Sequence, residues 1–521
     1  MTHRPRRQNR DSDGTGPLVT LLNTADVGWS VTRERHTMSS KTPSAVSPSS
    51  RRWLALGLIA AAQFMVIMDT SIIGVALPRM QHDLGFTPQN LSWVFNAYVV
   101  AFGGLLLLGG RLSDLFGARR IFGLGWAALA VGSLMAGLAG NVAVEVAGRA
   151  VQGAASALIA PAALTLLFTT FGATPKELTK ALALYGAAAP AGGTAGVFLG
   201  GVLTQYASWP WVFFINLPLA AVVLALSPSV MPQGMTRRGS LDLAGAATVT
   251  AGPAAVVFAV VRAPESGWTS GPTLLAGLGG LALLGLFVLL QARLRQPLMR
   301  LGIFKAPNLA ASNVAQFMLG AAWIPMFFFV NLYLQQVLGL GAFASGAALL
   351  PLTVTIMVGM IGAAPRLIGR FGPKTMTVAG LATLAGGLLW LSLIRPDGSF
   401  VVDVLPATLV TAAGMAMAFI PSLGMALSSA APEEGGLAAG IVNTNYQVGS
   451  ALGLAAMTAV ASAFGADRAG DTAALTGGFS AGLLGAAGIG AVGALLAAAW
   501  LRSPRPQPVE EPQEQSAAVG A

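Results

Sequence analysis

The sequence predicts an all-α membrane protein of fourteen transmembrane helices, built as two six-helix lobes with two further helices inserted between them. Composition, the placement of basic residues and an internal repeat each point there. Of the 521 residues, 54% are hydrophobic and 10% charged, whereas a soluble domain carries about 25% charged residues. A chain this long and apolar cannot hide its side chains in soluble cores, so the bilayer is its natural solvent. A bilayer core of about 30 Å needs about 20 apolar residues in helix. On that ruler the spans fall at 54–77, 91–112, 121–140, 142–168, 180–204, 210–228, 241–262, 272–292, 308–331, 344–366, 375–394, 402–427, 437–464 and 478–501.

Basic residues test this count independently. With the N-terminus in the cytoplasm, 25 of the 30 Lys and Arg fall on the cytoplasmic side. Only Arg79, Arg262, Arg395 and Arg468 fall outside, and Arg149 alone lies within a span. This is the positive-inside distribution, and it places both termini in the cytoplasm. It also accounts for the net charge of +10 without nucleic acid. There is no Cys, and His3, His36 and His82 lie outside the apolar stretches. No thiolate or histidine metal site, and no intramembrane histidine relay, can be built. The excess of Arg over Lys, with abundant Ala and Gly, points to a GC-rich bacterium and thus to its plasma (inner) membrane.

The repeat is visible at two places. Gly110-Arg111-Leu112-Ser113-Asp114-Leu115-Phe116-Gly117-Ala118-Arg119 follows the second span, and Pro365-Arg366-Leu367-Ile368-Gly369-Arg370-Phe371-Gly372-Pro373-Lys374 follows the tenth, at an offset of 255. Gln63-Phe64-Met65 recurs as Gln316-Phe317-Met318 at an offset of 253. Spans 1–6 therefore match spans 9–14. The domains follow: a disordered tail at 1–52, a first lobe at 53–228, inserted helices with their loops at 229–300, a second lobe at 301–502 and a tail at 503–521. The first fifty residues are polar, basic and without the apolar core of a signal peptide, and Met38 is an alternative start. Paired repeats of this kind place a substrate site between halves near the midplane in many secondary transporters.

The sequence after the second span, Gly110-x-Leu112-x-Asp114-x-x-Gly117-x-Arg119-Arg120, reads as a cytoplasmic gate. Gly117 permits a tight turn, and Asp114 sits among cations. The plainer reading is a positive-inside turn with a neutralising acid. The second copy has Gly369 where the first has Asp114, so the two halves are not chemically equivalent.

This segment resembles the cytoplasmic signature of the major facilitator superfamily. Met68-Asp69-Thr70-Ser71-Ile72-Ile73-Gly74-Val75-Ala76-Leu77-Pro78 resembles the first-helix signature of its fourteen-helix drug:proton antiporters. Trp93-Val94-Phe95-Asn96-Ala97-Tyr98, Gly148-Arg149-Ala150-Val151-Gln152-Gly153, Trp211-Val212-Phe213-Phe214-Ile215-Asn216-Leu217-Pro218 and Gly440-Ile441-Val442-Asn443-Thr444 fit as well, so the resemblance spans roughly residues 52–502. It implies the major facilitator fold and proton-driven export by alternating access. Three places depart from the pattern: Gly196-Val197-Phe198-Leu199-Gly200-Gly201 lacks the family's proline after the first glycine, Pro210 stands where Arg is common, and so does Tyr446.

Asp69 and Arg149 are the expected proton-coupling residues. A charge at the bilayer centre costs at least about 2.5–3.5 kcal/mol on insertion scales, so each needs a reason to be there. Asp69 lies eight residues before Leu77, and Arg149 eight after Asn141. At about 1.5 Å per residue both sit roughly 12 Å below the outer surface and could pair across a cavity. A carboxylate that alternates between pairing with a guanidinium and holding a proton is a workable coupling device. A local alternative for Arg149 is Glu145, four residues earlier on the same helix.

Pro190, Gly192, Gly196, Gly200 and Gly201 mark the fifth span as a packing surface or hinge. Asn216, Gln316, Asn443 and Gln447 offer polar atoms to a substrate cavity, or hydrogen bonds between helices. Gly372-Pro373-Lys374-Thr375 lacks the earlier glycine of a phosphate loop, and no nucleophile–base constellation appears, so neither an enzyme nor a bound cofactor is expected. The expected partners are a small molecule, protons and the lipid bilayer, with the chain acting as a monomer. Export of a small, largely apolar organic compound such as a drug or antibiotic is the leading expectation. Proton-coupled uptake and a non-transporting membrane sensor are the alternatives.

Overall fold

The computed structural model describes residues 48–232, 242–294, 297–429, 435–468 and 470–502. The expected N-terminal tail up to residue 47, the Met38 start, Arg237, Arg238, Arg295 and the tail from 503 lie outside the described residues. Among the described residues, fourteen helices are long and apolar enough to cross a membrane: α1 Arg51–Ser71, α2 Asn90–Phe116, α3 Ala118–Gly137, α4 Val142–Phe171, α5 Lys180–Tyr206, α6 Trp211–Val230, α7 Leu243–Ala263, α8 Gly271–Arg293, α9 Leu309–Val337, α10 Ala342–Phe371, α11 Pro373–Leu391, α12 Phe400–Ser429, α13 Ala438–Ala466 and α14 Thr472–Trp500. All fourteen sequence-predicted spans are present. An even number of crossings brings both ends of the bundle to one face, here the tail side; the opposite face is the far side.

The first helix differs most from expectation. Its helical backbone begins at Pro48, inside the segment read as tail, and is interrupted only at Ile72. It then resumes over Ile73–Leu84, through Pro78. The extension carries charge, which hid it from a hydropathy reading: Arg79, His82 and Asp83 all follow Leu77. Trp209 Nε1 donates to Asp83 Oδ2 at 2.9 Å and His82 Nδ1 lies 3.0 Å from Oδ1. The bond to His82, with that from Trp209, holds the Asp83 carboxyl below the usual carboxylate range.

The repeat is structural as well as sequential. Gly117 and Gly372, 255 residues apart, both adopt positive φ, +89° and +80°, with ψ of 129° and 157°. A Cβ at either would be strained, which is why glycine stands in both copies. Helix pairing repeats too. α1 packs on α5, α3 on α4 and α3 on α6; correspondingly, α9 packs on α13, α11 on α12 and α11 on α14.

The halves meet where α2 packs on α13 and where α5 packs on the first part of α10. Adjacent glycines open α2 to two partners. A Cβ on Gly103 would stand 2.7 Å from Gln447 Cβ on α13, and one on Gly104 2.6 Å from Thr250 Oγ1 on α7. Thus α7 lies along the α2–α13 seam, with α8 packed outside it. α8 turns Leu274, Leu275, Leu278 and Leu281 outward, as suits a lipid-facing helix. Among the described residues, the side-chain hydrogen bonds joining the halves lie toward the far side, Gln335 Nε2 to Val75 O and Gln336 Nε2 to Gln81 Oε1 (both 3.0 Å), and at mid-depth, Thr444 Oγ1 to Gly103 O (2.9 Å).

The glycine stripe on α5 is a packing surface. A Cβ on Gly192 would collide with the Phe64 carbonyl, one on Gly196 would meet Met68 O at 2.8 Å and one on Gly200 Ile72 O at 2.6 Å. These glycines hold α5 against α1 along the turns that carry Asp69. Gly201 faces elsewhere, toward Ala342 O of α10 at 2.9 Å. Pro190 lies within continuous helix. Gly192→Ala should force α1 and α5 apart and destabilise the protein by about 1–3 kcal/mol, as overpacking does. Gly193→Ala, whose Cβ would first meet Ile67 Cγ2 at 3.7 Å, should leave stability unchanged. Thermal unfolding of the two variants in one detergent checks this; equal midpoints would refute the packing role.

Candidate functional site

The site is built by α4. Gly148 and Gly153 carry no side chain, so neighbouring backbones come in close on either side of Arg149 and Gln152. A Cβ on Gly148 would stand 2.7 Å from Ala136 N of α3, and one on Gly153 would collide with the Tyr98 carbonyl of α2. α3 reciprocates with Gly132, whose Cβ would lie 2.9 Å from Gln152 N. The backbones of α2, α3 and α4 therefore pack closely around Arg149 and Gln152.

Arg149 and Asp69 pair directly. Arg149 Nη1 donates to Asp69 Oδ2 at 2.8 Å, with side-chain exposures of 0% and 1%. Asp69 Oδ1 accepts from Asn216 Nδ2 at 2.9 Å and from Gln152 Nε2 at 3.2 Å. The same two amides also donate to Ser133 Oγ, each at 2.9 Å. Arg149 Nε donates to Val94 O at 2.9 Å and Nη1 to Gln152 Oε1 at 2.8 Å. The guanidinium lies 4.6 Å from the centroid of the Tyr98 ring, a cation–π distance. Tyr98 Oη donates to Ser156 Oγ at 2.7 Å. Helices α1, α2, α3, α4 and α6 thus meet in one network around the ion pair, and all three contacts to the Asp69 carboxylate come from donors.

The pair is not at a cavity. Both partners are enclosed within the first six helices, where the sequence reading set them across open space. The depth estimate also changes: helix 1 runs on to Leu84, so Asp69 lies fifteen residues from its end while Arg149 lies eight from Asn141. The extension projects beyond the start of α4. The local alternative is not made: Glu145 is buried, but neither of its carboxylate oxygens has a hydrogen-bond partner.

The other candidates separate into groups. Asn216 joins the Asp69 network and stands apart from Gln316, Asn443 and Gln447. Gln316 Nε2 donates to Phe419 O at 3.1 Å and to Ser422 Oγ at 3.0 Å, with Oε1 unpartnered. Asn443, half-buried, donates to Ala439 O at 2.9 Å, and Gln447 is buried against Gly103. At the tail side, Arg119 Nη1 donates to Pro228 O and Met231 O, each at 3.1 Å, tying the start of α3 to the end of α6. Arg120 is exposed. Asp114 is half-buried and has no hydrogen bond or ion pair among the described residues. The close-packed glycine before it is Gly109, whose Cβ would collide with the Ala157 carbonyl; Gly110 meets nothing nearer than Pro161 Cβ at 3.8 Å. Sequence reasoning gave no role to Gln152, Ser133 or Tyr98. Gln152 was legible as i+3 from Arg149 on one helix face.

The sequence model of the Major Facilitator Superfamily matches residues 59–454. The chain belongs to this superfamily. It is a multi-pass membrane transporter and not an enzyme. It is 38% identical to the cephamycin export protein CmcT of Amycolatopsis lactamdurans, over 80% of this chain and 86% of that one. It is 36% identical to the puromycin resistance protein of Streptomyces alboniger, over 79% and 82%. A tetracenomycin C resistance and export protein of Streptomyces glaucescens is 34% identical, over 81% and 77%. Among solved structures, the nucleoside transporter NupG superposes with a TM-score of 0.61 at 14% identity, over 87% of this chain and 100% of that one, which speaks to fold alone.

Removing one partner of a buried ion pair costs about 3–5 kcal/mol, because the other charge is stranded. A double-mutant cycle of Asp69→Asn with Arg149→Gln should therefore show a coupling of roughly 0.5–3 kcal/mol in unfolding free energy. Additive effects would mean the pair is not formed in the membrane.

Proposed function

We propose that the transporter exports a small, largely apolar organic compound, of the antibiotic or drug class, from a bacterial cell in exchange for protons. The tail side is cytoplasmic on this reading, since the basic loops lie there. Three relatives more than 30% identical carry export or resistance in their names, which supports the direction. The observation that supports coupling is the ion pair of Asp69 and Arg149, sealed among five helices.

Exchange requires one group to be charged in one state and protonated in another. Asp69 fits that role because none of its donors is on its own helix: Arg149 and Gln152 come from α4 and Asn216 from α6. A movement of α1 relative to α4 would break the pair, and protonation of Asp69 would then leave no net charge on it. The stripe Gly192, Gly196, Gly200 couples α5 to α1, and α5 also faces α10 at the lobe seam, so a rocking of the halves would reach Asp69. The halves are hydrogen-bonded toward the far side, which fits a conformation closed to the outside. The substrate would meet the second half near Tyr446 and Phe419, half-buried rings edge to face at 5.7 Å, beside Gln316 and Asn443. Gly110, Asp114, Gly117, Arg119 and Arg120 would form the cytoplasmic gate.

Inverted membrane vesicles and a panel of labelled antibiotics test the function. An inward-directed substrate flux that depends on an imposed proton gradient, and is lost in Asp69→Asn while binding persists, is expected. Loss of preloaded substrate would indicate uptake, and saturable binding without flux a sensor; either would overturn export.

A further inference from the structure

The guanidinium of Arg149 is not fully engaged. Its Nη2 has no hydrogen-bond partner, although the residue is completely buried. One helical turn earlier on the same helix face, both carboxylate oxygens of Glu145 are also buried and unpartnered. Two such groups, one cationic and one acidic, standing i and i+4 on α4 without bonding to each other, are an unusual pair of vacancies. A carboxylate buried with no hydrogen-bond donor is costly to ionise.

We propose that Glu145 is a second proton-carrying residue, and that Arg149 exchanges between Asp69 and Glu145 as the proton moves between them. The inference rests on the proton-coupled reading above. In the state described, Asp69 is ionised, Arg149 is its partner and Glu145 carries the proton. The exchange breaks the O–H bond of Glu145 and forms one on Asp69. The guanidinium then turns its free Nη2 toward the new carboxylate at Glu145. Net charge in the buried cluster is zero before and after, so neither state strands a charge.

The surroundings fit this assignment. The charged groups acting on Glu145 are Arg149 on its own helix and Asp69 on α1. From α2 comes Tyr98, stacked on the guanidinium, and the ionisable residues of α3 are confined to its tail-side start, Arg119 and Arg120. Among the described residues of α1–α6, the one other acid, Asp114, stands at the tail-side end of α2. Position gives the direction: Glu145 lies four residues inside Asn141, the exposed N-cap of α4, or about 6 Å from the far-side end of that helix. A proton arriving from the far side would reach Glu145 first and Asp69 second, and Asp69 would release it when the tail side opens.

Infrared difference spectroscopy on the purified full-length protein reads this without any transport. The unmutated chain at neutral pH should show the carbonyl stretch of a protonated carboxyl lacking a hydrogen bond, and carboxyl-labelled 13C-glutamate should shift it. Glu145→Gln should remove the band. Asp69→Asn should also remove it, because Glu145 then ionises against Arg149. A band that ignores glutamate labelling, or that survives Asp69→Asn, would overturn the proposal; the labelling arm needs no variant to fold. In parallel, gradient-driven flux of the unmutated protein tests the coupled reading itself. If flux needs no proton gradient that reading fails, whereas coupled flux with no such glutamate band defeats this inference alone.

Discussion

The structure is organised around one buried charge pair. Asp69 and Arg149 are fully removed from solvent, yet a single carboxylate gathers donors from α4 and α6 and, through Ser133, reaches α3. In an apolar bundle such a network is costly unless it is complete. Its bonds and ring contact draw five helices together, while Arg149 Nη2 stays unpartnered. Most of the local sequence serves that end: Gly132, Gly148 and Gly153 bring backbones close enough to seal the pair, and Gly192, Gly196 and Gly200 lay α5 along the turns of α1 that carry Asp69.

The two halves differ in the chemistry they bury. The second half keeps the repeat's backbone, including the positive-φ glycine at 372, but has no buried ion pair among the described residues. Where the first half has Asp69 and Arg149, the second offers neutral polar groups, Gln316, Asn443 and Gln447, and the aromatic edge of Tyr446 on Phe419. On the proposed function, charge would be handled in α1–α6 and an apolar compound received against α9–α13. The inserted helices α7 and α8 lie outside both, with α7 along the α2–α13 seam.

Much of this was legible in the sequence because a bilayer simplifies the problem. Span number followed from hydropathy and the basic loops. Asp69 and Arg149 stood out because charges inside spans are rare. What the sequence hid was tertiary. Helix 1 runs past Leu77 because its extension is polar and exposed on part of its surface, which hydropathy reads as loop. Asn216 looked like a cavity residue because a lone amide in a span carries no sign of its partner; only the fold brings it to Asp69. The choice of Arg149 between Asp69 and Glu145 was open at the level of spacing, and three-dimensional geometry decides it for this conformation. Gly109 and Gly110 were indistinguishable as neighbours in sequence, and only the approach of Ala157 separates them.

The central claim is that the charge on Asp69 changes as substrate is exchanged. Its most direct measurement is proton release from the purified protein in weakly buffered solution when the compound identified by the vesicle screen is added. The account predicts release from the unmutated protein and none from Asp69→Asn, with binding retained in both. Release that persists undiminished in Asp69→Asn would place the exchanged proton elsewhere and contradict the account.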